Sequence, residues 1–197
     1  MPVEATAAIC SDQAANLARR IRMVVLDVDG VMTDGGLHYD AEGRITKRYH
    51  VHDGVGIMLL RQAGLKVAVI TAGRDGPCVA SRMRRLQVDA FYEGDVSKRA
   101  ALEDLRARFD LVWKEMAYLG DDWVDLIPLG LVGLPMAVCN ARREVKACAH
   151  YVTKACGGDG AVREAAEWLL ACQGSLEAVL AQWTTPDGAG DPGAGDV

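Results

Sequence analysis

Two carboxylates one residue apart interrupt the stretch RMVVLDVDGVMTDGG, residues 22–36. Asp27 and Asp29 follow four apolar residues that read as a buried strand. Charge at the end of a buried strand is costly unless a cation or hydrogen-bond donors compensate it. A second acidic group, GDDWVD, follows the apolar run MAYL and brings Asp121, Asp122 and Asp125. Thr71 follows VAVI, and Lys98 opens the helical stretch after DAFYEGDVS. Carboxylates in this number suit a hard divalent cation that takes oxygen ligands and keeps several waters, which points to Mg²⁺. An EF-hand calcium loop does not fit DVDGVMTDGGLH, where Gly falls at the fourth position rather than the sixth and Glu is missing at the twelfth.

The elements that must hold these groups are legible as alternating patterns. Short apolar runs occur at 23–26, 67–70, 89–92, 116–119, 136–139 and 150–153. Helical periodicity fills the gaps near 54–63, 76–86, 97–108, 121–130, 141–148 and 160–171. Continuous apolar strands separated by helices predict a doubly wound, Rossmann-like α/β fold with a parallel sheet buried on both faces. Ligands in such a sheet bind beyond the carboxyl ends of the strands, where Asp27, Asp29, Thr71, Asp121, Asp122 and Asp125 all fall. One segment breaks the alternation. GGLHYDAEGRITKRYHVHDG, residues 35–54, alternates apolar and polar residues around the turn signal DAEG. It reads as a β-hairpin inserted after the first strand. His50 and His52 would share a face of its return strand, either lining the site or standing as surface imidazoles.

The chain has 197 residues, half of them hydrophobic, which suits one domain with a full core. A formal charge of −5 argues against a nucleic-acid partner. No apolar run is long enough to cross a membrane, and MPVEATAAICSDQ lacks the basic start of a signal peptide. Six scattered cysteines without a C-x-x-C pair read as reduced thiols of a cytoplasmic protein. The expected division is an N-terminal extension over 1–20, one domain over 21–183 and a disordered Gly/Pro/Asp-rich tail over 184–197. Ser11 is a candidate N-cap for a short helix in SDQAANLARR.

DVDGVMTDG, ITAGR, Lys98 and GDDWVD stand in the order of the four motifs of the haloacid dehalogenase-like phosphatases, which the chain resembles. Over residues 22–180 it is similar to the capless subgroup of that family, on DGVMTDGGLHYDAEG, YHVHDGVGIMLL and YVTKACGGDGAVREAAEWLL. The resemblance implies Asp27 as the nucleophile that forms an aspartyl-phosphate, and Asp29 as general acid and then base. It implies Mg²⁺ held by the Asp27 and Asp121 side chains and the Asp29 backbone carbonyl. Asp122 and Asp125 would orient these ligands and Lys98, and Thr71 would donate a hydrogen bond to a phosphoryl oxygen. Gly30 would let the backbone approach the phosphate, and Arg74 and Arg163 would contact substrate. Two positions depart from the family pattern: Ala72 stands as an extra residue in TAGR, and His52 precedes DG where Arg is common.

The same resemblance implies hydrolysis of a sugar-acid phosphate, with 3-deoxy-D-manno-octulosonate 8-phosphate (Kdo 8-phosphate) as the expected substrate, in lipopolysaccharide precursor synthesis. It also implies a homotetramer, in which copies of the hairpin pack together and neighbouring subunits close each site in place of a cap. A nine-carbon ester, N-acylneuraminate or Kdn 9-phosphate, is the alternative substrate. A signalling receiver domain uses similar groups, but there the Lys comes last in the chain, whereas Lys98 precedes GDD here. A non-catalytic oligomeric scaffold would leave all these chemical groups without use.

Overall fold

The computed structural model describes residues 12–74, 77–95 and 97–184. Ser11 and all but the first residue of the 184–197 tail lie outside the described residues, as do the expectations placed on them. Chain order sets the strands as β1 (Met23–Leu26), β2 (His38–Tyr39), β3 (Ile45–Thr46), β4 (Lys66–Thr71), β5 (Ala90–Glu93), β6 (Met116–Gly120), β7 (Leu134–Ala137) and β8 (Tyr151–Val152). The helices are α1 (Asp12–Ala18), α2 (Val51–Gln62), α3 (Pro77–Leu86), α4 (Arg99–Arg108), α5 (Leu126–Leu131), α6 (Arg143–Cys148), α7 (Ala161–Gln173) and α8 (Leu176–Thr184).

Six strands form one parallel sheet in the order β5-β4-β1-β6-β7-β8, flanked by helices. This is the expected doubly wound fold, and no cap domain interrupts it among the described residues. MVVL and MAYLG are buried along their whole length because β1 and β6 sit inside the sheet, covered on both faces. The chain runs outward from β1 through β4 to β5, then returns to the other side of β1 for β6. Strand order therefore reverses between β1 and β6, and the crevice beyond their carboxyl ends is the topological switch point. Leu26 pairs with Leu119, so the residues that follow them emerge side by side. The Asp27 amide extends the ladder by donating to Leu119 O at 3.1 Å.

Helices α2 and α7 pack on each other, and α1 and α8 lie against α7. Gln173 Nε2 ties the end of α1 to this layer by donating to Ala18 O and Ile21 O at 3.0 and 2.9 Å. Asp53 of α2 is buried at the start of α7, where it accepts from the backbone amides of Arg163 at 3.0 Å and Gly160 at 3.4 Å. An anion at a helix N-terminus meets unpaired amides and the positive end of the dipole.

Several local expectations are corrected. The strand expected at 136–139 begins two residues earlier, at Leu134, and takes in Pro135. The Pro135 carbonyl keeps its place in the sheet, accepting from His150 N at 2.8 Å. The single helix expected over 121–130 is a 3₁₀ turn, Trp123–Asp125, followed by α5. The turn forms because Asp125 and Asp122 direct their carboxylates back onto the local backbone amides. The hairpin is real but brief: β2 and β3 pair over two residues each, and α2 starts at Val51 inside the stretch assigned to the hairpin. His50 is consequently the N-cap of α2, its Nδ1 accepting from His52 N, rather than a residue of the return strand. α8 was not anticipated.

Candidate active site

Asp27 leaves β1 and Asp121 leaves β6 at the switch point, although 94 positions separate them. Lys98 reaches them from the N-terminus of α4. Its Nζ donates to Asp27 Oδ1 at 2.7 Å, Asp125 Oδ1 at 2.7 Å and Tyr118 OH at 3.0 Å. The Lys98 side chain is entirely buried, and its backbone is held left-handed at φ +55°. A non-glycine residue in that region costs about 1–3 kcal/mol and persists only where the surroundings impose it. Here the strain aims the ammonium into the carboxylate cluster.

Asp125 is wholly buried and organises that cluster. Its Oδ1 accepts from Lys98 and from Tyr118 OH, the latter at 2.7 Å. Its Oδ2 accepts from the amides of Asp121 and Asp122 at 2.9 and 3.3 Å. Asp122 is turned outward, with Oδ1 accepting from Trp123 N at 2.7 Å and lying 3.9 Å from Arg142 Nε.

The loop after β1 is shaped by Thr33, whose hydroxyl donates to Val28 O and accepts from Gly30 N and Gly35 N. Gly30 adopts φ +85°, and a Cβ there would lie 2.1 Å from Asp121 Oδ2. Gly157 backs the same loop so closely that a Cβ on it would lie 1.7 Å from Gly30 O. Asp29 projects to the hairpin side, where Lys47 Nζ donates to both its oxygens at 2.6 and 2.8 Å. A cavity of about 440 Å³ opens over these groups, with Asp27, Asp29, Gly30, Thr71, Lys98, Asp121 and Asp122 in its lining. Asn140 and Arg142, on the loop after β7, complete its rim.

Two carboxylates share the Lys98 ammonium and a third, Asp121, stands beside them, and the electrostatics follow. Burial pushes Asp27 up to about 7, aided by Asp125 and opposed by Lys98. Asp121 is pushed up to about 8 by burial and by the charges of Asp27, Asp125 and Asp122. Burial pulls the Lys98 ammonium down, but Asp27 and Asp125 overcome it and hold Lys98 above its ordinary value. Burial and the neighbouring carboxylates raise the Tyr118 phenol far above its usual range, so it stays a hydrogen-bond donor.

The arrangement fits a divalent cation. Oxygens of Asp27, Asp121 and Asp125 lie within 4.8 Å of one another. Both Asp125 oxygens are already taken by four donors, whereas Asp121 Oδ1 is buried without a hydrogen-bond partner. Asp27 and Asp121 are therefore the side chains with oxygen to offer, in an all-oxygen setting that suits Mg²⁺. Surplus negative charge at the end of two buried strands is what such an ion would offset.

The remaining sequence candidates divide. Thr71 ends β4 buried at the cavity, its Oγ1 accepting from Gly73 N at 3.2 Å. Arg74 is not in the cavity lining, and its side chain lies against Gly94. Arg163 pairs with Glu167 one turn along α7, Nε to Oε1 at 2.7 Å, and does not enter the cavity of its own chain. His50 and His52 stack edge to face at the start of α2, with His50 Nε2 3.7 Å from Asp159, and neither lines the cavity. Sequence reasoning missed Tyr118, Thr33 and Lys47. Tyr118 carried a signal, since a phenol in a fully buried strand needs a partner for its hydroxyl. Lys47 carried none, since it sits among Arg44, Thr46 and Arg48, all exposed.

A family model described as haloacid dehalogenase-like hydrolase matches residues 78–164. The 3-deoxy-D-manno-octulosonate 8-phosphate phosphatase KdsC of Haemophilus influenzae is 42% identical over 154 residues, 78% of this chain and 85% of that protein. The crystal structure of 3-deoxy-D-manno-octulosonate 8-phosphate phosphatase from Moraxella catarrhalis, in complex with a magnesium ion, a phosphate ion and a Kdo molecule, superposes with a TM-score of 0.85 at 32% identity, covering 89% of this chain and all of that one (100%). The cobalt-bound enzyme from Haemophilus influenzae superposes with a TM-score of 0.80 at 37% identity, covering 87% and 98% of the two chains.

Proposed function

The chain belongs to the haloacid dehalogenase-like hydrolases, and from that premise we propose that it is a Mg²⁺-dependent phosphatase converting Kdo 8-phosphate to Kdo and phosphate. The observation that carries this reading is the Asp27 carboxylate at the switch point, 2.7 Å from Lys98 Nζ and beside the unpartnered Asp121 oxygen. The substrate follows from the relatives that share the fold over most of its length.

Asp27 attacks phosphorus and the ester P–O bond breaks, leaving an aspartyl-phosphate. Asp29 gives its proton to the departing sugar oxygen. Asp29 then takes a proton from the water that attacks the acyl phosphate, and Asp27 is regenerated. Asp27, Asp121 and the Asp29 carbonyl would hold Mg²⁺, which when bound supplies positive charge against the phosphoryl oxygens. Lys98 adds a second positive charge from the protein, and Thr71 donates to a phosphoryl oxygen. Asp125, with Tyr118, keeps Lys98 on target, and Asp122 caps the turn that presents Asp121. Gly30 keeps the loop free of a side chain where the phosphate enters.

Arg74 and Arg163 complete this reading as substrate contacts, Arg163 reaching a neighbouring subunit's site in a homotetramer. Leu37, Tyr39 and Val51 expose apolar surface on and beside the hairpin, which supports assembly through it. No helix among the described residues is long and apolar enough to cross a membrane. The proposed setting is lipopolysaccharide precursor synthesis in the cytoplasm. Phosphate release from Kdo 8-phosphate and from N-acylneuraminate and Kdn 9-phosphates, with and without Mg²⁺, tests the assignment. Turnover should need Mg²⁺ and favour the eight-carbon ester. Equal or faster turnover of a nine-carbon ester would transfer the assignment to that substrate, and sedimentation of the same protein tests the tetramer.

A further inference from the structure

Lys47 follows β3 on a hairpin whose neighbouring side chains face water. Arg44 and Arg48 are 74% and 57% exposed, whereas the Lys47 side chain is 0% exposed. Withdrawing an ammonium from water costs free energy unless a counter-charge receives it. Asp29 supplies counter-charge, and it is met by both oxygens, at 2.6 and 2.8 Å. Charge-assisted hydrogen bonds of this kind are short and strong, so the ammonium holds the carboxylate in place. Asp29 leaves β1 on a loop that is otherwise held through its backbone, by Thr33 and by Gly158 N donating to Val31 O at 3.0 Å. None of those bonds fixes the Asp29 side chain.

We propose that Lys47 is the positioning residue for Asp29, so that the hairpin sets where the proton-transfer carboxyl stands beside the catalytic loop. This rests on the reading of Asp29 as the acid that protonates the leaving sugar oxygen. In that step the ester P–O bond breaks, its electron pair stays on the sugar oxygen, and the Asp29 proton neutralises it. A sugar alkoxide needs that proton, whereas p-nitrophenolate leaves readily as an anion. Lys47 therefore matters in proportion to how basic the leaving group is. The hairpin, besides offering an assembly surface, thereby enters the chemistry of its own subunit.

The test is first-turnover leaving-group release from Kdo 8-phosphate and from p-nitrophenyl phosphate, at saturating Mg²⁺. The proteins are wild type, Lys47→Met, Lys47→Arg, Asp29→Asn and the exposed control Arg44→Ala. Lys47→Met should slow release from the sugar ester by about 10- to 100-fold, part of the 10²–10⁴ that a general acid contributes. Release from the aryl ester should change by less than about threefold, because little of that acid contribution applies to it. Lys47→Arg, which keeps the positive charge and can donate to both oxygens, should recover much of the sugar-ester rate, and Arg44→Ala should match wild type. Equal losses on both esters in Lys47→Met and Lys47→Arg, with Asp29→Asn still selective for the sugar ester, would overturn the positioning role and leave the Asp29 assignment standing. Asp29→Asn losses that do not depend on the leaving group would instead remove the Asp29 assignment, and the role of Lys47 with it.

Discussion

Lys98 Nζ stands 2.7 Å from Asp125 Oδ1, with both side chains wholly excluded from water. The pair is internal scaffolding with a catalytic consequence. Asp125 spends all its hydrogen-bonding capacity on Lys98, Tyr118 and the backbone of the Asp121 loop. It thereby joins α4 to the end of β6 and fixes the ammonium between itself and Asp27.

Lys98→Met should accordingly destabilise the protein by about 3–5 kcal/mol, because it leaves Asp125 and Asp27 buried without their cation. Adding Asp125→Asn should restore part of that loss, since the double variant no longer buries the orphaned charge. Denaturant unfolding of the two single variants and the double variant closes the cycle. Strictly additive losses would show that the two residues act independently.

Asp27→Asn keeps the shape of the side chain and removes the nucleophile. Phosphate release should fall by about a thousandfold or more, as for other enzymes stripped of their covalent nucleophile. Circular dichroism and sedimentation should be unchanged. Retained turnover in this variant would exclude an aspartyl-phosphate on Asp27.

Stability without metal should depend on pH with an unusual sign. Asp27 at about 7 and Asp121 at about 8 lie above their ordinary value of 3.8. Between those limits the folded chain binds protons that the unfolded chain has released. Unfolding free energy therefore falls as pH rises, fully present below about 4 and lost through 7 to 8. In EDTA the melting temperature should drop from pH 5 to pH 8, at about 2–4 °C per kcal/mol for a chain of this size. Mg²⁺ replaces the protons, so it should raise the melting temperature at pH 8 far more than at pH 5. Scanning calorimetry with and without Mg²⁺ reads both effects, and a Mg²⁺ shift that grows on acidification would contradict them.

Gly30→Ala places a methyl 2.1 Å from Asp121 Oδ2 in a backbone of φ +85°. Asp121 must move, and it is one of the two side chains with oxygen free for the metal. Mg²⁺ affinity in isothermal titration should weaken by at least about tenfold, the low end of what disturbing a metal site's surroundings costs. Overall stability at acid pH should change less, by the roughly 1 kcal/mol of a strained left-handed alanine.

Much of the fold was legible in residue order. MVVL, VAVI and MAYL read as buried strands because uninterrupted apolar runs have no other place in a chain of this length. Asp27, Asp29, Thr71 and Asp121 stood out because polar groups directly after such runs fall at one edge of a parallel sheet. The errors arose where a local pattern had two solutions. The hairpin's alternation ran on into the first turn of α2, and His50 became a cap because its ring nitrogen meets the His52 amide.

Residue order thus determined the strands, the motifs that end them and the all-oxygen chemistry they offer, because burial and periodicity are properties of local sequence. Only the tertiary structure decided that β1 and β6 are neighbours, which sets Asp27 beside Asp121 and leaves one Asp121 oxygen without a partner. It also decided that Tyr118 and Asp125 hold Lys98, and that Lys47 returns from the hairpin to Asp29. Those contacts join groups far apart in the chain, and no local pattern encodes which distant side chain satisfies a buried charge.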